Sequence, residues 1–289
     1  MSLHLAIKFG ISGLLTGGVY SLIAIGLSLI FGVMGVINFA HGQMMVWGMY
    51  IAYWLFVLLG IEPYFSLLVS AGALFAMGFV VQKLVVNRIL DYPEAMQVLP
   101  LIGLGLILEN SALLFWGPDH RSPQMSLSLS TIWLGDVMLD VPRIIAFVIA
   151  LLIAFLLFLF LKKTDTGKAI RAAADNRLGA RLVGIKVDHI NNISFAIGAA
   201  SVGAAGALML PLIPLCPHLG HDFTLTAFVI VILGGLGSIT GAMVGGLILG
   251  VAESLGTLFI PPSMKQVVSF TIMVVIMLLK PQGLFGGKR

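Results

Sequence analysis

The chain alternates long apolar stretches with short polar connections, and that pattern predicts helices that cross a membrane. Windows of low charge fall near residues 11–31, 40–59, 64–86, 97–116, 144–161, 191–212, 223–237, 240–259 and 266–280. A span needs roughly 20 apolar residues to cross about 30 Å of hydrocarbon. The seventh window is short, which fits either a half-span or a re-entrant piece, so eight and nine crossings both remain open. The apolar runs are continuous rather than alternating, which excludes a β-barrel. Hydrocarbon leaves helices as the remaining way to satisfy the backbone. The predicted fold is therefore an all-α polytopic membrane protein, a bundle of eight or nine transmembrane helices forming one membrane domain over residues 1–289.

Two loops break the pattern. The segment 162–189 holds seven Lys or Arg against three Asp, whereas 117–143 holds only Arg121 and Arg143. By the positive-inside rule the first is cytoplasmic and the second external. The N-terminus then lies outside, and nine crossings would place Lys280, Lys288 and Arg289 inside. In the external loop, residues 125–141 alternate on both sides of Leu134-Gly135-Asp136, the signature of a small hairpin. It could receive a soluble donor protein or simply cover helix ends. In the basic loop, Ile170, Ala173, Ala174, Leu178, Leu182 and Ile185 fall at near-helical spacing. They predict a short amphipathic helix between Gly167 and Gly184, with Lys168, Arg171, Asp175, Arg177 and Arg181 on its other faces. Docking into a cytoplasmic protein and resting on the inner leaflet fit this pattern equally.

Composition agrees with a lipid environment. The chain is 59% hydrophobic and 10% charged with a mean hydropathy of +1.09, whereas soluble domains carry about 25% charged residues. The net charge of +4 is accounted for by loops beside an anionic leaflet, so nucleic acid is not the implied partner. Cys216 is the single cysteine, which leaves no intrachain disulfide. The first residues lack a clustered basic region and a cleavage site, so the first span reads as retained. Glycine and alanine recur at small-xxx-small spacing: Gly13/Gly17, Gly237/Gly241/Gly245, Gly246/Gly250 and Ala199/Gly203. Such spacing lets helix backbones approach closely in lipid.

Catalytic parts are missing. The histidines show no HExxH spacing and there is no GxSxG elbow. His218 and His221, with Asp222 beside them, are a weak metal candidate in a proline-rich connector. The segment Thr166-Gly167-Lys168-Ala169 lacks the leading glycine and the hydroxyl of a phosphate loop, so ATP, if used, binds elsewhere. No cofactor or metal is expected in this chain. Asn38, Gln43, Glu109, Asn110 and Glu253 fall in or near spans, where an ionisable side chain costs at least about 2.5 kcal/mol unless it faces protein or water. They are expected to face inward as candidates for a translocation path. Glu109 with Asn110 is the deepest pair, placed to meet the charged ends of a zwitterionic amino acid. Asn38 and His41 read as a helix stop at the inner end of the first span.

Five stretches carry a resemblance in order: GGVYSLIAIG (17–26) with LIFGVMGVINFAHGQ (29–43), GLILEN (105–110), FWGPD (115–119), TGKAIRAAADN (166–176) and LGGLGSITGA (233–242). Together they resemble the LivH-type permease of bacterial branched-chain amino acid ABC importers over nearly the whole chain; the PLIPLCP connector (211–217) departs from the best-known members. The resemblance implies a multi-pass protein of the bacterial inner membrane whose pore pairs it with a second, related permease. It further implies two ATP-binding subunits inside, which bind ATP and Mg, and a periplasmic solute-binding protein outside. It gives residues 167–185 the role of a coupling helix, with Gly167, Lys168, Arg171, Asp175, Arg177 and Gly184 facing the ATP-binding subunit. Related permeases serve urea, short amides or other amino acids, so the solute stays open, as does a pore built from two copies of one chain. A stand-alone secondary carrier would need a relay of ionisable residues, for which Glu109 and Glu253 are the candidates.

Overall fold

A computed structural model describes residues 3–125, 130–134, 137–261 and 264–286. In chain order the helices are α1 (Leu3–Met34), α2 (His41–Leu59), α3 (Pro63–Val81), α4 (Glu94–Trp116), α5 (Val141–Lys163), α6 (Asp165–Asp175), α7 (Arg177–Leu182), α8 (Val187–Met209), α9 (Leu219–Gly234), α10 (Ile239–Gly256) and α11 (Lys265–Leu279). A π-helical turn, Gln82–Val86, carries α3 on to Ile89. Seven helices among the described residues are long and apolar enough to span a membrane, and α9 and α11 are shorter apolar helices. At 1.5 Å per residue the 16 residues of α9 reach about 24 Å. This is the short seventh window, now a helix beginning at Leu219. The C-terminal tail folds back onto the end of α9, where Leu284 N–H donates to Leu233 O (2.8 Å) and Phe285 N–H to Gly234 O (3.0 Å). Asp175 at the end of α6 lines the same cleft as Phe285. Tail and basic loop thus share one face, as nine crossings require.

Small residues let the helices approach at backbone distance. Gly13 and Gly17 of α1 meet Gly250 and Gly246 of α10, so that a Cβ on Gly17 would stand 2.8 Å from the Gly246 carbonyl oxygen. Two of the spacings read from the sequence are therefore the two halves of one seam. On the opposite side α8 lies between α2 and α3, where a Cβ on Gly203 would come within 2.8 Å of Leu74 and one on Gly48 within 2.8 Å of Gly203. Helices α1, α2 and α8 form the buried centre, whereas α5 and α11 turn Phe155 and Leu278 outward, as a lipid-facing layer does.

The second span is only partly helical. Helix α1 stops at Gly35, which takes a left-handed φ of 70° and donates its N–H to Phe31 O (2.8 Å). The chain then turns back into the bundle, with Val36, Asn38, Ala40 and His41 all fully buried. His41 Nε2 donates to Ile23 O at 3.0 Å, eleven residues before α1 ends, which is about 16 Å back along its axis. Asn38 and His41 are thus not at the inner end of the first span, as the sequence suggested. They form a buried turn from which α2 starts part-way across, with Asn38 Oδ1 accepting the Ala40 N–H (3.1 Å).

The two exceptional loops also take shape. Strands β1 (Thr131–Leu134) and β2 (Val137–Asp140) pair antiparallel, with Thr131 opposite Asp140 and Leu134 opposite Val137. The expected Gly135-Asp136 turn and residues 126–129 lie outside the described residues. The basic loop forms two helices rather than one, because Asn176 is extended (φ −151°, ψ 99°) and its side chain caps α7 by accepting the Gly179 N–H (2.8 Å). Ile170 and Ala173 pack against the bundle, but Leu178, Leu182 and Val183 point away, 68%, 80% and 77% exposed. The single apolar stripe is split between two faces.

Gly17→Ala is expected to lower the thermal midpoint of the detergent-solubilised protein, by about 1–3 kcal/mol of overpacking. Gly10→Ala, where a Cβ would meet nothing within 4 Å, should leave it unchanged.

Candidate functional site

Three ionisable side chains meet inside the bundle. Glu109 lies on α4 seven residues before Trp116, about 10 Å below the outer end of the helix, and is 6% exposed. His218 precedes α9 and His221 lies in its first turn. His218 Nδ1 lies 2.6 Å from Glu109 Oε1 and His221 Nε2 lies 2.7 Å from Glu109 Oε2. A carboxylate can only accept, so these nitrogens carry the protons. Gln43, in the first turn of α2, donates its amide N–H to Glu109 Oε2 at 3.3 Å.

The cluster exists because α2 and α9 both begin within the bundle. Their first turns touch: Gly42 N–H donates to Thr224 Oγ1 (3.0 Å), and Gly220 lies flat on the Gln43 side chain, with no room for a Cβ. A helix N-terminus carries about half a positive charge, and two of them lie beside this one carboxylate. The connector leading to α9 is held by a pair of backbone bonds, Arg121 N–H to Leu215 O (2.8 Å) and Leu215 N–H to Arg121 O (2.7 Å). Outward from the cluster, seven residues on from Gln43 and from Glu109, Tyr50 and Trp116 stack at 4.1 Å. Arg121 lies over the neighbouring rings, 5.8 Å from Tyr53 and 5.5 Å from Trp54, and donates to Trp116 O (2.7 Å).

The other predicted path residues are placed elsewhere. Asn110 is exposed and donates to Leu106 O of its own helix (2.8 Å), because adjacent residues on a helix point about 100° apart. Glu109 and Asn110 therefore do not act as a pair. Asn38 holds the buried turn before α2. Glu253 sits in a separate tie of α1, α10 and α11: Tyr20 Oη donates to it at 3.1 Å, Ser269 Oγ donates to its other oxygen, and Lys265 Nζ donates to Tyr20 Oη at 3.4 Å. A cavity of about 270 Å³ lined by Thr16, Arg143 and Ser254 adjoins it. Asp222 does not join the histidines, since its carboxylate accepts from Gln266 (2.8 Å). No group of three or more His, Cys, Asp or Glu among the described residues is disposed to hold a metal ion. The spacing of His218 and His221 is visible in the sequence; nothing there connects them to Glu109, more than a hundred residues earlier.

On the basic face, Thr164 Oγ1 caps α6 by accepting the Gly167 N–H (3.0 Å), and Gly167 packs against Leu161 with no space for a side chain. Lys168 pairs with Asp165 at 2.9 Å and holds that carboxyl below its usual range, first by the hydrogen bond and then by its charge. Arg171 and Asp175 are exposed and line a cleft of about 540 Å³ against Ser28, Gly32 and Thr240, at the inner ends of α1 and α10. Arg177 is half-buried at the start of α7, Arg181 pairs with Asp188 (3.5 Å), and Gly184 ends the segment at φ 86°.

Glu109→Ala removes the acceptor of three side chains and is expected to lower stability by about 1–3 kcal/mol. Asn110→Ala, beside it on the exposed face, should stay within about 0.5 kcal/mol of the parent. Thermal unfolding of both variants in one detergent separates the two placements.

Residues 10–277 match the family described as branched-chain amino acid transport system / permease component. The high-affinity branched-chain amino acid transport system permease protein BraD of Pseudomonas aeruginosa is 31% identical over 96% of this chain and 94% of its own length. The corresponding LivH of Escherichia coli K12 is 30% identical over 95% and 94%. LivM of Salmonella typhimurium, another permease protein of such a system, is 27% identical over 92% of this chain and 67% of its own. No solved structure matches the chain. The matches run through both discontinuous helices and the basic loop, from the first span to the last: the chain belongs to the family of branched-chain amino acid transport system permeases.

Proposed function

We propose that this chain is the permease subunit of an ATP-driven, binding-protein-dependent importer of branched-chain amino acids in the bacterial inner membrane. The observation that carries this reading is the full-length likeness to LivH and BraD. The geometry supports it. An ionisable cluster lies within an apolar bundle, and a capped, basic helix pair lies at the opposite face.

Two ATP-binding subunits press on α6 and α7, a second permease related to LivM completes the pore, and a periplasmic binding protein delivers the solute to the face carrying the hairpin. ATP and Mg are held by the partners. Nucleotide binding shifts the permease between two access states only by its differential affinity for them. Contact carries that shift inward: α6 rests by Ile170 and Ala173 on the bundle, its cleft adjoins the inner end of α1, and α1 leads through the buried turn at Asn38 to Gln43. In this reading Gln43 and Glu109 belong to the path, whereas Asn38 and Glu253 hold the helices around it.

Affinity purification of the tagged chain from its native membrane should co-elute two ATP-binding subunits and a second permease. The assembled complex should accumulate leucine, isoleucine or valine in vesicles when given ATP and its binding protein. Accumulation of solute against a gradient by the isolated chain would refute the reading. The Arg171→Ala/Asp175→Ala double variant should retain membrane insertion but lose about tenfold or more of its uptake while ATP turnover continues. Normal uptake in that variant would instead place the helix pair on the inner leaflet.

A further inference from the structure

The Glu109 cluster differs from an ordinary interhelical tie in two respects. The first is the nature of the donors. At Glu253, which borders the cavity beside Thr16 and Arg143, they are the hydroxyl groups of Tyr20 and Ser269, both buried. At Glu109 the carboxylate is buried, yet the side chains of His218 and His221 are 62% and 59% exposed, open to a side of the bundle that this chain leaves uncovered. The second is an unmet hydrogen bond. Gln43 is 1% exposed and gives its amide N–H to Glu109, while its amide oxygen is buried with no partner. A buried acceptor left unpaired costs about 1–3 kcal/mol, and here it lies beside a carboxylate that can share a cation with it.

We propose that Gln43, Glu109, His218 and His221 form a binding site for the two charged ends of a zwitterionic amino acid, a proposal that rests on the importer reading above. The ammonium group lies between the Glu109 carboxylate and the Gln43 amide oxygen, both of which only accept from it. The carboxylate takes from Glu109 the two imidazole N–H donors, beside the positive end of α9. Glu109 and the histidines satisfy one another while the site is empty. A ligand bearing both charges replaces that mutual pairing group for group, so no charge is left unpaired within the bilayer. A ligand lacking either charge leaves one partner unmet. The path thereby selects for the zwitterion, and the apolar side chain of the solute is left to the binding protein.

The test uses the assembled importer in proteoliposomes with its binding protein and L-leucine as the probe. Glu109→Gln keeps shape and removes charge, and the His218→Gln/His221→Gln double variant keeps hydrogen bonding without a cationic form. Each is expected to cut uptake about tenfold or more. Parent-like uptake in either overturns the site and leaves the importer reading standing, whereas absence of leucine uptake by the parent complex overturns both. A second measurement needs no variant. Diethyl pyrocarbonate labelling of the parent complex, read by mass spectrometry, should modify His218 and His221, and leucine should slow that labelling about fivefold or more while leucinamide, which lacks the carboxylate, does not. Failure of either histidine to react, or labelling that leucine leaves unchanged, rejects the proposal even if the variants do not assemble.

Discussion

Hydrocarbon offers no hydrogen-bond partners, so every place where this chain departs from helix inside the bundle must be satisfied by the bundle itself. Two such departures organise the molecule. Between Gly35 and His41 the chain re-enters from the end of α1, and between Leu210 and His218 it leads down into α9. The first is held by Asn38 to the Ala40 N–H and by His41 to the Ile23 carbonyl. The second is held by the Arg121–Leu215 bonds. Because each break is stabilised locally, two helix N-termini can open next to one another in a region where isolated peptide groups would be prohibitive.

Close packing makes this arrangement possible. The glycine seam between α1 and α10, and the small residues of α8 against α2 and α3, bring backbones together without a hydrophobic driving force between helices. The same device operates at the site, where Gly42 and Gly220 let the first turns of α2 and α9 touch. A side chain at either position would separate the two N-termini and dissolve the environment that holds Glu109. Packing and electrostatics are here one requirement, since the favourable field of the helix ends falls off within about one turn.

The buried carboxylates illustrate how similar residues serve different ends. Glu253 is bonded by hydroxyl donors from neighbouring helices and fastens α1, α10 and α11. Glu109 is bonded by imidazoles that remain largely open, at the junction of two discontinuous helices. Aromatic stacking of Tyr50 on Trp116, whose carbonyl accepts from Arg121, stands between this junction and the outer surface. The basic helix pair lies at the far end of α1, so what touches α6 and what touches Glu109 are linked through one continuous segment, α1 with the turn that follows it.

The sequence by itself determined the elements whose signals are local. Continuous apolar runs marked the spans, the uneven Lys and Arg distribution marked the two faces, and alternation around residues 131–140 marked the hairpin, because burial in lipid, leaflet charge and strand pleat each act within a short window of chain. Periodicity also found the basic helix but missed its break, since the apolar spacing runs on through Asn176 whereas the side chain of that residue starts a new helix. Tertiary structure alone decided the site. Glu109, Gln43 and the histidines are brought together by α2 and α9 starting inside the bundle, and that depends on Gly42 meeting Thr224 across 182 positions. A hydropathy window cannot distinguish a helix that begins at the membrane surface from one that begins within it. Both are equally apolar, and the difference lies only in which distant backbone groups satisfy the break.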